Sequence, residues 1–265
     1  MQQSCLAKHF QQFALLSPQD LHFLESLDVK PESWPRNANI WREGSDASHF
    51  YVLNSGWAYS SRILQDGSRQ ILDIFVPGDI IGLRDLACRQ RLNAAHTVTE
   101  VELCAFPQHH LRALFQNSSA LGQLFFSLAA QGQALMAERI INLGRRSARQ
   151  RVAHVLAELS TRLEESTAEN VQRDVVPLSQ TLLADLLGLS AVHINRTIRG
   201  LREDRLIDLQ YQSITLLDVV GLKEISGFNP AYLRQEFVPH LPDATNNAVA
   251  IDKPALSFRS ADTSG

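Results

Sequence analysis

Residues 177–217 read PLSQTLLADLLGLSAVHINRTIRGLREDRLIDLQYQSITLL, and the rest of the chain is best understood outward from them. Leu182, Leu183, Leu186 and Leu187 recur at helical spacing and give a first short helix an apolar face. Gly188 follows, the residue type that supplies a tight turn or a left-handed helix end. Ser190 then stands where an N-cap belongs. In a second helix Ile194, Ile198 and Leu201 form one inward stripe, and Val192, Asn195, Arg196, Arg199 and Arg202 lie opposite. Ala184, Gly188 and Ile194 supply a small side chain at the helix crossing, a flexible turn and an apolar plug. That pattern predicts a helix-turn-helix whose second helix enters the major groove of double-stranded DNA. The alternative is an αα-hairpin inside a helical core. Against it, residues 206–209 and Ser213–Leu216 form two β-like runs around Gln210, Tyr211 and Gln212, the pattern of a wing.

The chain has 265 residues, 45% of them hydrophobic, enough for two domains with real cores. No run of about 18 apolar residues occurs, which speaks against a transmembrane helix. Residues 1–16 lack a charged segment followed by an apolar block and a cleavage site, so no signal peptide is expected. Cys5, Cys88 and Cys104, odd in number and widely spaced, point to a reducing cytoplasm rather than a disulfide frame. A net charge of −3 means that phosphate contacts must come from placed arginines, not bulk charge. Arg139, Arg145, Arg146, Arg149 and Arg151 make an acid-free run that reads equally well as a solvated face. Arg196, Arg199, Arg202 and Arg205 make a second run, offset in number by Asp185, Glu203, Asp204 and Asp208.

Taken in order, residues 1–30 look helical, with Ser17, Pro18 and Asp20 as a helix start. From 33 to 106 the texture is β: runs at 40–41, 50–53, 57–64, 70–75 and 98–106, separated by turn signals. Asp66-Gly67 between two of them predicts a hairpin, and the spacing of the set predicts a barrel or sandwich. Residues 108–143 read as helix. Leu121, Phe125, Leu128, Gly132, Leu135 and Arg139 alternate at four and three residues, which favours a pairing seam between two chains over a helix packed on its own barrel. Ser147 and Gln150 make a capping box that restarts a helix after a hinge at 144–147. Residues 164–174 read as a polar loop, and the signal fades beyond Phe228, where a largely disordered tail is expected.

This order of barrel, long helix, hinge and winged helix-turn-helix resembles the Crp–Fnr superfamily of bacterial transcription regulators. The resemblance rests on the strand and turn FYVLNSG at 50–56, the turn VPGDIIG at 76–82 and the segment LGLSAVHINR at 187–196. It implies an α+β chain: a cyclic-nucleotide-binding-like β-barrel (a double-stranded β-helix) at 1–120, a dimerisation helix and hinge at 121–146, a winged helix-turn-helix at 147–227 and a tail at 228–265. It also implies a homodimer reading a two-fold symmetric site, with RNA polymerase as a further partner. Ser179, Ser190, Val192, His193, Asn195, Arg196 and Arg199 are the expected DNA-facing residues. Arg196 takes the family's base-reading arginine position, Asn195 suits an adenine edge or a phosphate, and Arg199 suits phosphate. Ser179 and Ser190 suit phosphate at helix starts. Val192 stands where relatives place a glutamate, so the operator should differ from that of the cyclic AMP receptor.

The family's nucleotide cassette maps onto this chain poorly. Its ribose-binding glutamate aligns with Leu83, its arginine–serine pair with Arg91 and Leu92, and its polar helix pair with Met136 and Ala137. Leu83, Arg84, Arg91 and Met136 are therefore the candidate ligand residues, but a ribose hydroxyl buried there would lack a partner, at about 1–3 kcal/mol. Cyclic AMP is not supported. Arg84 and Asp85 are candidates to pair with each other. An iron–sulfur cluster wants four ligands, and haem or metal through His49, His96, His109 or His110 has no supporting motif. Cys88 and Cys104 read as buried apolar residues rather than redox centres. The input is left open among a small molecule, a redox signal and the protein's own abundance. A metal-dependent barrel enzyme would need a His-x-His with a nearby acid, which is missing. A cyclic-nucleotide module acting on a protein partner leaves the winged helix-turn-helix unexplained.

Overall fold

The computed structural model describes residues 4–233, apart from residues 12, 28, 86 and 167–171. Two short helices, α1 (Cys5–Gln11) and α2 (Pro18–Ser26), precede the strands β1 (Glu32–Trp34), β2 (Asn39–Trp41), β3 (His49–Ser55), β4 (Ala58–Ile63), β5 (Arg69–Phe75), β6 (Ile80–Ile81), β7 (Ala94–Thr97) and β8 (Val101–Pro107). They form two antiparallel sheets, ordered β1-β8-β3-β6 and β2-β7-β4-β5. The period-2 alternation of β3 and β8 sorts their side chains: Leu53 and Leu103 face the space between the sheets, whereas Phe50, Val52, Cys104 and Phe106 face outward. The run expected at 98–106 is the strand β8, starting three residues later than expected, because residues 98–100 turn between β7 and β8 and Thr99 there accepts from the Trp57 amide. β1 and β6 are too short to show alternation, and β7 alternates over only four residues, Ala95 and Thr97 buried, so no sequence signal marked them.

Each sheet has its outer face covered. Over Phe50, Val52 and Phe106 lie α1, α2, α3 (Gln108–Asn117) and the first turns of α4 (Ser119–Arg145). Over Trp57, Tyr59, Ile71 and Ile74 lies the C-terminal part: α5 (Ala148–Glu165), β9 (Val175–Val176), α6 (Gln180–Leu187), α7 (Ala191–Glu203), the hairpin β10 (Ile207–Gln210) and β11 (Ser213–Leu216), and α8 (Val219–Ser226). The two parts therefore share one continuous apolar core. Ser147 caps α5 with Gln150 in the reciprocal box that the sequence predicts.

Four expectations are corrected. The helix expected over 108–143 is broken at Ser118, which accepts from the Leu121 amide and caps α4. The face of α4 expected as a seam is also partly covered by the chain itself, although Gly132 within it is exposed. Leu121 and Phe125 pack on the chain's own barrel and Arg139 is drawn into ion pairs; the exposed stripe is Phe126, Ala129, Gln133, Ala137, Ile140 and Gly144. Third, Cys5 and Cys104 are joined by a disulfide across 99 residues of sequence, against the expectation from the odd number and wide spacing of the cysteines. Finally, the start of the tail is ordered: Tyr232 donates to Glu158 Oε2 at 2.9 Å, and Gln131 donates to the Leu233 carbonyl at 2.7 Å. The rest of the expected tail lies outside the described residues.

Candidate nucleic-acid interface

α6 ends at Gly188 with φ 60°, the left-handed conformation glycine adopts freely, and the chain turns directly into α7. The Ser179 and Ser190 hydroxyls accept from the Leu182 and His193 amides at 3.2 and 3.3 Å, so each caps its helix. Within α7, Ile194, Ile198 and Leu201 are 2%, 1% and 0% exposed and anchor the helix in the core. Val192 is 77% exposed, and His193, Asn195, Arg196 and Arg199 are exposed beside it. Arg196 and Arg199 make no ion pair among the described residues, whereas Arg202 lies 3.3 Å from Asp208. A row of unengaged guanidinium groups on one helix face is what phosphate and guanine edges recruit. The wing β10–β11 carries Tyr211 at its tip, 98% exposed, a contact candidate that sequence reading assigned to the turn but not to the site.

The basic run before the motif is mostly engaged within the chain, although Arg145 is exposed. Arg139 lies 2.8 Å from Asp73, Arg146 2.6 Å from Glu138, and Arg149 pairs with Asp204. Arg151 donates to the Arg146 and Leu187 carbonyls. Arg139 fastens α4 to the barrel, whereas Arg146, Arg149 and Arg151 tie α4, the hinge and the helix-turn-helix to one another. Arg162, on α5, lies 2.5 Å from Asp79 and donates to the Ile74 carbonyl at 3.0 Å. Burial works against its charge, but Asp79, Glu158 and Asp73 outweigh it and raise its pKa. Burial raises the pKa of Asp79 in spite of Arg162. α6 is tied to β5 by Arg69, 2.6 Å from Asp185, and by Gln70, which donates to the Leu186 carbonyl at 3.2 Å. No sequence periodicity reports such ties, because Arg69 and Gln70 meet partners 116 positions away and Arg162 meets Asp79 83 positions away.

A groove of about 870 Å³ runs between the barrel and α4. Leu83, Arg84 and Met136 line it; Arg91 does not. Arg91 is 3% exposed and sits with its guanidinium carbon 4.0 Å from the Trp41 ring centroid. Its Nη1 lies 3.6 Å from Asp85 Oδ2, and it donates to the His49 carbonyl. Gly82 is required beside it, since a Cβ there would meet Arg91 Nη1 at 2.7 Å. The expected Arg84–Asp85 pair is therefore corrected: Asp85 belongs to Arg91, and Arg84 reaches Asp73 at 3.8 Å. Leu92 is 51% exposed and turns away. His9, from α1, also lines the groove, and burial holds its pKa down to about 4.

Residues 31–118 match the cyclic nucleotide-binding domain family, and residues 150–225 match the Crp-like helix-turn-helix domain family. The chain is 28% identical over 225 residues to a probable transcriptional activator of Rhizobium leguminosarum bv. viciae, covering 84% of this chain and 91% of that one. It is 29% identical over 187 residues to the nitrogen fixation regulation protein FixK of Azorhizobium caulinodans, covering 71% of this chain and 75% of that one. Among solved structures, FixK2 from Bradyrhizobium japonicum superposes with a TM-score of 0.66 at 23% identity, over 75% of this chain and 98% of that chain.

Proposed function

Because the chain belongs to the Crp–Fnr superfamily of DNA-binding transcription regulators, and is not an enzyme, we propose that it reads a palindromic operator as a homodimer through α7. The carrying observation is the division of α7 into a buried stripe, Ile194, Ile198 and Leu201, and an exposed face, Val192, His193, Asn195, Arg196 and Arg199. Arg196 is assigned to a guanine edge, Asn195 to an adenine edge or a phosphate, and Arg199 to phosphate. Val192 touches a thymine methyl. Ser179 and Ser190, committed as caps, present helix starts toward the backbone.

The homodimer is supported by the exposed stripe on α4, where Phe126 and Ile140 are 74% and 68% exposed. Two such helices, paired, would hold the two copies of α7 about one turn of DNA apart. Relatives described as transcriptional activators support RNA polymerase as a further partner. No helix of the described residues is long and apolar enough to cross a membrane.

The barrel is proposed not to take cyclic AMP. Arg91, the aligned phosphate arginine, has the Asp85 carboxylate where a ligand anion would compete, and Trp41 over its face. The test of the DNA reading is binding of the purified protein to duplexes selected from random sequence. Arg196→Ala should lose sequence preference while keeping salt-dependent affinity. Unchanged preference would refute the assignment of α7. A large rise in DNA affinity with cyclic AMP would refute the reading of the barrel.

A further inference from the structure

Cys5 opens α1, and Cys104 lies on β8 with its Cα 6.5 Å away, an ordinary separation for a disulfide. The third cysteine, Cys88, is free and partly exposed. The bond joins two sequence-distant walls of a single apolar cluster. Leu6 and Phe10 of α1, Phe50 of β3, Phe106 of β8 and Leu121 and Phe125 of α4 pack together around it. That cluster is the seat of the first turns of α4, the helix that leads to the hinge and to α7. α1 also brings His9 to the wall of the groove beside α4, where its ring nitrogens make no hydrogen bond of normal geometry. α1 is short, only Cys5–Gln11, so its position depends on tertiary packing and on this covalent tie rather than on its own helicity.

We propose that Cys5 and Cys104 are a thiol–disulfide redox couple that fixes α1 to the barrel, seats α4, and makes DNA affinity respond to low-molecular-weight disulfides. The proposal rests on the DNA-binding reading above. With oxidised glutathione as the oxidant, the Cys5 thiolate attacks one glutathione sulfur. The glutathione S–S bond breaks, and the first glutathione leaves as a thiolate that takes up a proton. The Cys104 thiolate then attacks the Cys5 sulfur of the mixed disulfide and expels the second glutathione, which is protonated in turn. Two cysteine thiols lose two electrons and two protons, and one glutathione disulfide becomes two thiols. Cys5 is the entry point, being 7% exposed at the start of a short helix, whereas Cys104 is 0% exposed. The oxidised form is the tighter DNA binder, because a seated α4 holds its exposed stripe and α7 in one arrangement.

The experiment equilibrates the full chain in buffers of varied reduced-to-oxidised glutathione ratio, with thiol alkylation and mass measurement as the first readout. A two-electron transition confined to Cys5 and Cys104, also present in Cys88→Ser, is the expected result. Proteolysis within α1 should accelerate on reduction, and affinity for a duplex selected by the air-oxidised protein should fall about tenfold. Cys5→Ser should behave as the reduced form at every ratio; it spares the deeper Cys104 site and so keeps a folded reference. Cysteines that stay reduced at every ratio would overturn the proposal. So would a bond that forms without changing proteolysis of α1 or DNA affinity. Absence of DNA binding in both states would overturn the regulator reading instead, while the thiol titration and the proteolysis still decide the redox couple.

Discussion

Arg69 of β5 lies 2.6 Å from Asp185 of α6, so an ion pair joins the barrel to the first helix of the helix-turn-helix. Arg69 also donates to the Tyr59 hydroxyl at 3.0 Å, which fixes the guanidinium before Asp185 meets it. Both side chains are partly exposed, 32% and 25%, so solvent screens the attraction. Asp185→Asn should cost at most about 1 kcal/mol of global stability. The informative readout is local: amide exchange in α6 and β5 should quicken together, while α8 is unchanged. Quickening confined to α6 would show that the pair does not couple the two parts.

On α7, Ile198 is 1% exposed and packs in the shared core, whereas Arg199 next to it is exposed. Ile198→Ala should destabilise the chain by about 2–5 kcal/mol through lost burial and a cavity. Arg199→Ala should leave stability within about 0.5 kcal/mol and weaken binding to all duplexes alike, lowering the salt slope by about one phosphate contact. A change in base preference for Arg199→Ala would move it from phosphate to base reading. Urea unfolding and salt-titrated anisotropy separate the two effects.

Arg91 and Asp85 are 3% and 1% exposed, so neither charge has water to fall back on. Burial lowers the pKa of Arg91, and Asp85 opposes that fall. Arg91→Ala strands the carboxylate and should cost about 3–5 kcal/mol. The double change Arg91→Met with Asp85→Leu should recover most of that loss, because it removes both charges at once. Failure of the double variant to recover would mean that Arg91 acts through the Trp41 ring and the His49 carbonyl rather than through Asp85. Urea midpoints of the three proteins decide it.

The helix-turn-helix was legible because its signals are local. Ala184, Gly188, Ser190 and Ile194 sit within a few residues of one another, and each has a single structural use: crossing, turn, cap and plug. The capping box at Ser147 and Gln150 was legible for the same reason. Leu121 and Phe125 read as seam residues toward a second chain because α4 is apolar on two faces. Leu121, Leu124 and Phe125 serve the barrel, while Phe126, Ala129 and Ile140 face outward, and spacing alone does not say which face meets which partner. The Arg69–Asp185, Arg162–Asp79 and Cys5–Cys104 ties were invisible because nothing in the local sequence pairs residues so far apart. The walls of the groove were partly legible: Leu83, Arg84 and Met136 line it, but the Asp85 partner of Arg91 emerges only once the barrel closes around it.

The exposed stripe on α4 gives a direct test of pairing. Ile140 is 68% exposed, so Ile140→Glu should leave the fold of one chain intact while placing a charge in the proposed seam. Sedimentation should show the wild type as a dimer and the variant as a monomer, with operator affinity lost because one copy of α7 reads only half a site. Leu121→Glu, by contrast, buries a charge in the chain's own core and should unfold it. An Ile140→Glu protein that remains dimeric would show that the seam lies elsewhere.

His9 links stability to pH with a sign fixed by its burial. It is 3% exposed, and desolvation holds its pKa down to about 4, against an ordinary value of 6.5. Above about pH 6.5 the ring is neutral in both folded and unfolded chains and contributes no pH dependence. As pH falls from there toward 4, the unfolded chain takes up a proton that the folded chain refuses, and stability is lost; below about 4 both are protonated and the loss stops growing. Between pH 7 and pH 5 this one residue should remove about 2 kcal/mol. Asp79, whose pKa burial raises, acts in the opposite direction, so the test is a difference between proteins rather than a single curve. Urea unfolding at pH 7 and pH 5 should show a smaller acid loss in His9→Leu than in the wild type. Equal losses would mean that the imidazole finds a partner on protonation, with the Gly78 backbone beside it the first to examine.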